Sequence, residues 1–237
     1  MIYNITHDTF GAVRMGDIIG IANIVEHLRK SSPFDLKFYL RPESIDSSAY
    51  VHQFKDWMIT NTDYFSADSG TYDLPWKKVN VWDYRDIAGD VVQIKNNEVT
   101  DIKVTICPLI DAKYNTYRNW PKSILEKVFE LGETEYSARK KVICISPDVI
   151  LPFYPTGSKW EICTDLYQTL HHIKTSQVYI GGDTGLSHFA GSLDRGPEPI
   201  YYTSSRGLLH TTPMHWMTNK KGTMRTYWLD FEGTTWK

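Results

Sequence analysis

One junction in the chain, residues 177–191, constrains the fold more than any other segment. It begins with QVYIGG, an apolar stretch rich in β-branched and aromatic residues that ends in two glycines, as a buried strand does. TGLSHFAG follows directly and has small and apolar residues at helical spacing. A buried strand that passes straight into a helix is typical of a parallel sheet. The junction therefore predicts an α/β domain.

Alternation of strands and helices extends over both ends of the chain. The N-terminal part predicts a strand, a glycine-bearing loop, a helix and a second strand, and the C-terminal part repeats the alternation. The predicted elements are strand 1–6, helix 17–30, strand 35–42, strand 141–148, helix 160–174, strand 177–183, helix 184–193 and strand 197–203. The pattern predicts two Rossmann-like halves that face a cleft.

The middle of the chain supplies the predicted boundary between these halves. Pro121 stands where a helix begins, since a proline in the first turn loses no hydrogen bond. Gly132 weakens the end of that helix and marks a linker. We predict an N-terminal domain over residues 1–120, a linking helix over 121–141 and a C-terminal domain over 142–237.

Composition excludes several classes of protein. The 26 Lys and Arg nearly balance the 28 Asp and Glu, which argues against capture of nucleic acid by bulk charge. No apolar run approaches the ~18–20 residues of a membrane span, and the first residues lack a signal-peptide pattern. Three cysteines without CxxC spacing predict buried, reduced thiols. We expect a cytoplasmic protein without integral membrane association.

The residues best suited to bind a ligand lie at the junction between this strand and helix. The first N–H groups of a helix, together with the helix dipole, favour a bound diphosphate. Asp183 and Thr184 can cap the helix, and Ser187 and His188 lie in its first turn. On these residues alone, a plain capped helix after a tight glycine turn is an equally good interpretation.

A family resemblance favours the diphosphate site over the plain capped helix. The run D-T-G-L-S-H resembles the donor-binding motif of the lipopolysaccharide heptosyltransferases, residue for residue, at Asp183, Thr184, Gly185, Leu186, Ser187 and His188. In that family the motif lines the diphosphate of a nucleotide-sugar. The resemblance implies a compact GT-B-like glycosyltransferase whose second half binds the donor and whose first half admits the acceptor.

A second match lies near the N-terminus. The segment 14–30 resembles the family signature in which M-G-D leads an apolar helix, and its aspartate is the family's proposed general base, here Asp17. The helix dipole favours an ionised carboxylate, which accepts a proton from a hydroxyl. Arg14 and Gly16, which lie beside Asp17 in the sequence, are predicted to bind substrate, and Arg14 can hold a phosphate or an acidic acceptor. A helix-capping aspartate and an exposed loop arginine are the alternatives.

A weaker match precedes the helix predicted over 160–174. The family carries a lysine and a tryptophan at the start of its corresponding helix, and its lysine contacts donor phosphate. Lys159 and Trp160 stand at this place, although they are adjacent where the family spaces them by one residue. The resemblance thus implies that Lys159 balances the charge of the leaving diphosphate.

Together these features predict a nucleotide-sugar-dependent glycosyltransferase that inverts the anomeric centre and needs no metal ion or separate cofactor. The acceptor we favour is a hydroxymethylated base in DNA, as in small phage-type enzymes. A lipopolysaccharide or other glycan is the alternative, and a non-catalytic nucleotide-sugar-binding protein is a third interpretation. DNA stays open because basic residues cluster at Lys77–Lys78, Arg139–Lys141 and Lys220–Lys221 with Arg225.

Overall fold

The computed structural model describes residues 2–7, 12–31, 36–68, 77–79, 94–98, 101–108, 119–147, 149–182, 184–204 and 225–229. The chain divides into two compact units, Met1–Ile94 and Lys95–Lys237. No helix in the described ranges is long and apolar enough to cross a membrane.

The first unit is built on the predicted βαβ pattern. Its strands are β1 (Ile2–His7), β2 (Lys37–Leu40) and β3 (Lys77–Val79), and its helices are α1 (Met15–Ser31), α2 (Ala49–Asn61) and a short 3₁₀ turn, Pro42–Ser44. The described strands pair in parallel in the order β2-β1-β3. On α1 the apolar residues Ile18, Ile21 and Val25 are fully buried at three- and four-residue steps, so the helix predicted over 17–30 is confirmed.

The second unit contains a longer parallel sheet in the order β6-β5-β4-β7-β8-β9. Its strands are β4 (Asp101–Cys107), β5 (Lys140–Cys144), β6 (Trp160–Cys163), β7 (Ser176–Gly181), β8 (Glu198–Ser204) and β9 (Arg225–Leu229). Its helices are α3 (Lys122–Thr134), α4 (Leu166–Thr175) and α5 (Gly185–Ser192). The α/β class with parallel sheets is confirmed.

The division between the units lies nearer the N-terminus than the boundary predicted after residue 120. Strand β4 pairs with β5 and β7, so it belongs to the second sheet. Helix α3 ends at Thr134 and does not continue to residue 141, because Lys140–Cys144 forms β5. Buried residues of α3, such as Leu125 and Val128, lie in the same apolar core as Ile106 and Ile143 of the sheet. The segment 121–141 is thus part of the second unit and not a linking helix.

Gly132 is a packing position of that unit. A Cβ at residue 132 would lie 2.8 Å from two ring carbons of Trp160. The indole has little freedom to move away, because it lies edge-on to Phe129 at 5.2 Å between ring centres, and the Lys141 ammonium lies 5.3 Å from its ring centre. The indole N–H also donates to Glu133. The glycine therefore lets α3 approach the sheet at this point.

We expect Gly132→Ala to destabilise the protein by about 1–3 kcal/mol through overpacking. The gain in helix propensity, about 1 kcal/mol, does not offset a collision with a ring that several contacts hold. Urea unfolding followed by tryptophan fluorescence measures the change. Glu130→Ala, on the exposed side of α3, is the control and should stay within about 0.5 kcal/mol of the wild type. Unchanged or increased stability of the Gly132 variant would contradict this packing role.

The helix predicted over 160–174 is in fact a strand followed by a helix. Residues Trp160–Cys163 pair with β5 as β6, and α4 begins only at Leu166. The Asp165 side chain accepts the N–H of Gln168 at 2.8 Å, so Asp165 is the N-cap. The apolar residues of the strand merge with those of the helix in the sequence, and pairing with β5 separates them.

Candidate active site

The start of α1 is organised around Asp17. The carbonyl of Arg14 accepts the first helical hydrogen bond, from Ile18 at 3.0 Å, so Arg14 is the N-cap. The Arg14 N–H in turn donates to Asp17 Oδ2 at 2.9 Å. Asp17 is therefore the third helical residue, with its side chain turned back as in a capping box, and not the N-cap itself. This geometry keeps a half-buried carboxylate at the positive end of the helix dipole.

The loop before α1 is anchored to the loop after β2. Val13 donates its N–H to the Ser44 carbonyl at 2.8 Å and accepts the Asp46 N–H at 2.9 Å. The Arg14 guanidinium lies 3.7 Å from Asp46 Oδ2, with 40% of its side chain exposed. Such a long, exposed ion pair contributes little to stability, so Arg14 can exchange this partner at low cost. Gly16 lies half-buried in the first turn of α1.

The start of α5 lies at the carboxyl end of β7, as the junction predicted. Thr184 is the N-cap, and its Oγ1 accepts the Ser187 N–H at 3.1 Å. The His188 N–H donates to the Thr184 carbonyl at 3.1 Å, and the His188 side chain is buried. Asp183 lies outside the described residues. The structure therefore brings Thr184, Gly185, Leu186, Ser187 and His188 together in one helix start.

Two backbone donors of this helix start face no acceptor within the described part of the chain: the N–H groups of Gly185 and Leu186. They are the first two helical positions, which have no acceptor in their own helix. Both residues are half-buried and so remain accessible to a ligand. Two N–H groups at a helix N-terminus favour an oxyanion such as a phosphate.

Ser187 connects the strand to the cap. Its hydroxyl donates to the Gly182 carbonyl and lies 3.2 Å from Thr184 Oγ1 and 2.9 Å from the Tyr179 hydroxyl. Tyr179 was not among the site residues predicted from the sequence. The available signal was its position two residues before Gly181, because alternate residues of a strand share one face.

Lys159 is not near these residues. It immediately precedes β6, and its carbonyl accepts the Lys141 N–H at 2.8 Å. All described strands of this sheet are parallel, so Lys159 lies at the amino edge, whereas α5 follows the carboxyl end of β7. Three strand spacings of about 4.8 Å also separate β6 from β7. The expectation that Lys159 begins a helix and reaches the same phosphates as α5 is therefore not met.

We expect Lys159→Met to leave nucleotide-sugar binding unchanged. The Lys159 ammonium donates to the Ser137 carbonyl at 2.8 Å, which is an exposed structural contact. Isothermal titration with the best-binding nucleotide-sugar measures the effect. Lys140→Met, at the same edge of the sheet, is the matched control. A tenfold loss of affinity in the Lys159 variant but not in the Lys140 variant would show that Lys159 belongs to the donor site after all.

The cysteines of the second unit are buried, free thiols. Cys107, Cys144 and Cys163 end three neighbouring strands, and all three are free and buried, as the sequence predicted. Burial raises the pKa of the Cys144 thiol well above its usual value, and a hydrogen bond with Cys144 together with burial raises that of Cys163 to about 12. Protonated thiols are poor nucleophiles and poor metal ligands. The described residues contain no His, Cys, Asp and Glu group arranged to hold a metal ion.

Comparison with known proteins finds similarity in structure and not in sequence. No protein-family model matches the chain, and no curated protein matches its sequence significantly. The structure is similar to that of E. coli ADP-heptose lps heptosyltransferase II, with a TM-score of 0.51 and 12% identity over 95% of this chain and 90% of that one. At this identity the likeness establishes the fold alone.

Two further solved structures have lower TM-scores. E. coli heptosyltransferase WaaC with ADP gives 0.48, with 11% identity over 96% of this chain and 93% of that one. The iron-containing dodecameric glycosyltransferase TibC from enterotoxigenic E. coli H10407 gives 0.46, with 13% identity over 85% of this chain and 57% of that one.

Proposed function

We propose that this protein is a glycosyltransferase that uses a nucleotide-diphosphate sugar. The observation that carries the proposal is the start of α5, where the N–H groups of Gly185 and Leu186 follow the carboxyl end of a strand within the sheet. In parallel α/β sheets, ligands bind outside the carboxyl ends of the strands. The motif resemblance and the fold similarity to a heptosyltransferase support the same activity.

In the proposed reaction the diphosphate of the donor accepts hydrogen bonds from these two N–H groups. As the bond between the anomeric carbon and the diphosphate oxygen breaks, negative charge grows on the leaving group. Backbone donors and the helix dipole stabilise that charge without a metal ion. The buried Thr184 and Ser187 keep the donors oriented throughout, since their hydrogen bonds define the helix start.

Asp17 is the proposed general base. Its carboxylate takes the proton of the acceptor hydroxyl, while the hydroxyl oxygen forms the new bond to the anomeric carbon. With a single carboxylate and direct displacement, the anomeric configuration inverts. Arg14, next to Asp17, can exchange Asp46 for an anionic group of a substrate.

A thermal-shift panel tests the donor class. ADP-, UDP- and GDP-sugars are compared with the matching nucleosides, and the proposal predicts stabilisation by at least one diphosphate and little by its nucleoside. ADP-sugars come first because the similar E. coli structure is named for ADP-heptose. If no nucleotide-sugar raises the melting temperature, the proposal is wrong.

The acceptor requires its own assay. Transfer from the best donor is tried on lipopolysaccharide-type glycans and on DNA that contains hydroxymethylcytosine. Basic clusters were the reason to consider a DNA acceptor. In one of them, Arg139–Lys141, the side chains make contacts within the protein: Lys141 is buried, Lys140 pairs with Glu161, and Arg139 stacks on Tyr136. The DNA acceptor therefore stays a prediction from sequence. Proton NMR of the product reads the anomeric configuration.

A further inference from the structure

Tyr179 is a buried tyrosine whose hydroxyl faces the start of α5. Its side chain is 0% exposed, and its hydroxyl oxygen lies 2.9 Å from Ser187 Oγ. Strand alternation places Tyr179 and Gly181 on the same face of β7. A Cβ on Gly181 would lie 2.6 Å from a ring carbon of Tyr179. The glycine therefore gives the ring the space it needs to lie along the strand and reach Ser187.

The direction of these hydrogen bonds follows from their chemistry. A carbonyl oxygen only accepts, so the Ser187 hydroxyl donates its proton to Gly182. The Tyr179 hydroxyl is then the donor to Ser187 Oγ. Ser187 also donates its N–H to Thr184 Oγ1 at 3.1 Å. Through Ser187, Tyr179 thus holds residues on both sides of the turn that joins β7 to α5.

We propose that Tyr179 is a positioning residue that orients the N–H groups of Gly185 and Leu186 toward the donor diphosphate. This inference rests on the proposed function, because it concerns the same helix start. An anion at a helix N-terminus gains most when its donors are already aligned, since no energy is then lost in reorienting them. Tyr179 is fully buried and so acts through Ser187 and not by touching the donor.

Tyr179→Phe removes this hydrogen bond and keeps the ring. The ligand is ADP, UDP or GDP, whichever stabilises the wild type most, and its monophosphate serves as the comparison. We expect the Kd of the diphosphate to rise about fivefold, the equivalent of one lost hydrogen bond. The Kd of the monophosphate should change less than about twofold, because fewer phosphate oxygens depend on the aligned donors. Tyr136→Phe, next to the amino end of β5, is the matched control and should change neither.

A double-mutant cycle tests the route through Ser187. In a Ser187→Ala background, Tyr179→Phe should cause no further loss of diphosphate affinity. Additive losses of diphosphate affinity in the double variant would show that Tyr179 does not act through Ser187. The proposal would also be wrong if Tyr179→Phe left the Kd of the diphosphate unchanged, or if it weakened the diphosphate and the monophosphate equally. If Tyr179→Phe does not fold, Ser187→Ala alone must show the same selective loss. If the wild type binds no nucleoside diphosphate, the proposed function is wrong. That result differs from a wild type that binds the diphosphate while Tyr179→Phe has no effect, which contradicts only the role of Tyr179.

Discussion

Asp17→Asn is expected to lower the rate of sugar transfer by about 10²- to 10⁴-fold, the usual contribution of a general base. Donor affinity should stay the same, because the substitution leaves α5 untouched. An asparagine oxygen can still accept the Arg14 N–H that Asp17 accepts at 2.9 Å, so the helix cap should survive. Initial-rate kinetics with saturating donor, together with titration of the donor, measure the two effects separately.

The control for this experiment is Asp56→Asn. Asp56 lies exposed on α2 in the same unit and pairs with Lys55, so the same chemical change occurs away from any helix start. It should leave both turnover and donor affinity unchanged. Full activity of Asp17→Asn would show that another group takes the proton. A wild type that binds donor but transfers no sugar to any acceptor would instead favour the non-catalytic nucleotide-sugar-binding protein.

Gly185→Pro is expected to weaken nucleotide-sugar binding by about 10- to 100-fold, since it removes one backbone donor to a charged ligand. Position 185 is the first residue of α5, where proline is well tolerated because its N–H has no partner in the helix. The preceding Thr184 has φ −134° and ψ 162°, an extended conformation that suits a residue before proline. The helix should therefore form with one N–H group fewer.

Two controls isolate the missing N–H group. Gly185→Ala adds a side chain but keeps the N–H, so it should bind donor far better than the proline variant. Lys122→Pro places proline at the equivalent position of α3 and should leave binding unchanged. Isothermal titration gives the affinities, and circular dichroism checks that helix content is kept. Equal affinity of the alanine and proline variants would show that this N–H does not contact the diphosphate.

The parts of the fold predicted correctly from sequence depend on local patterns. The alternation of strands and helices, helix α1 and the helix start at Thr184 each follow from residues within a few positions of one another. Burial of Cys107 and Cys144 is what the apolar runs around them favour. Such local patterns can be recognised without knowing which strands and helices pack together.

The errors in the prediction concern partners that are distant in sequence. Strand β6 has four residues and runs into the N-cap of α4 within two more, so its apolar residues extended the helical pattern until pairing with β5 was known. The family resemblance could therefore place Lys159 at the start of a helix, where the structure has the start of β6. The observed boundary between the units differs from the predicted one because β4 pairs with β5 and β7, and no local pattern in the sequence indicates this pairing.

For this protein, the sequence alone determined the α/β class and the junction that places Thr184–His188 at a helix start. It did so because strand and helix periods are local properties of the chain. The tertiary structure alone decided that Lys159 lies at the opposite edge of the sheet and that Tyr179 holds Ser187 from the interior. The order of strands and the face on which a side chain packs depend on non-local pairing, which a single sequence does not reveal.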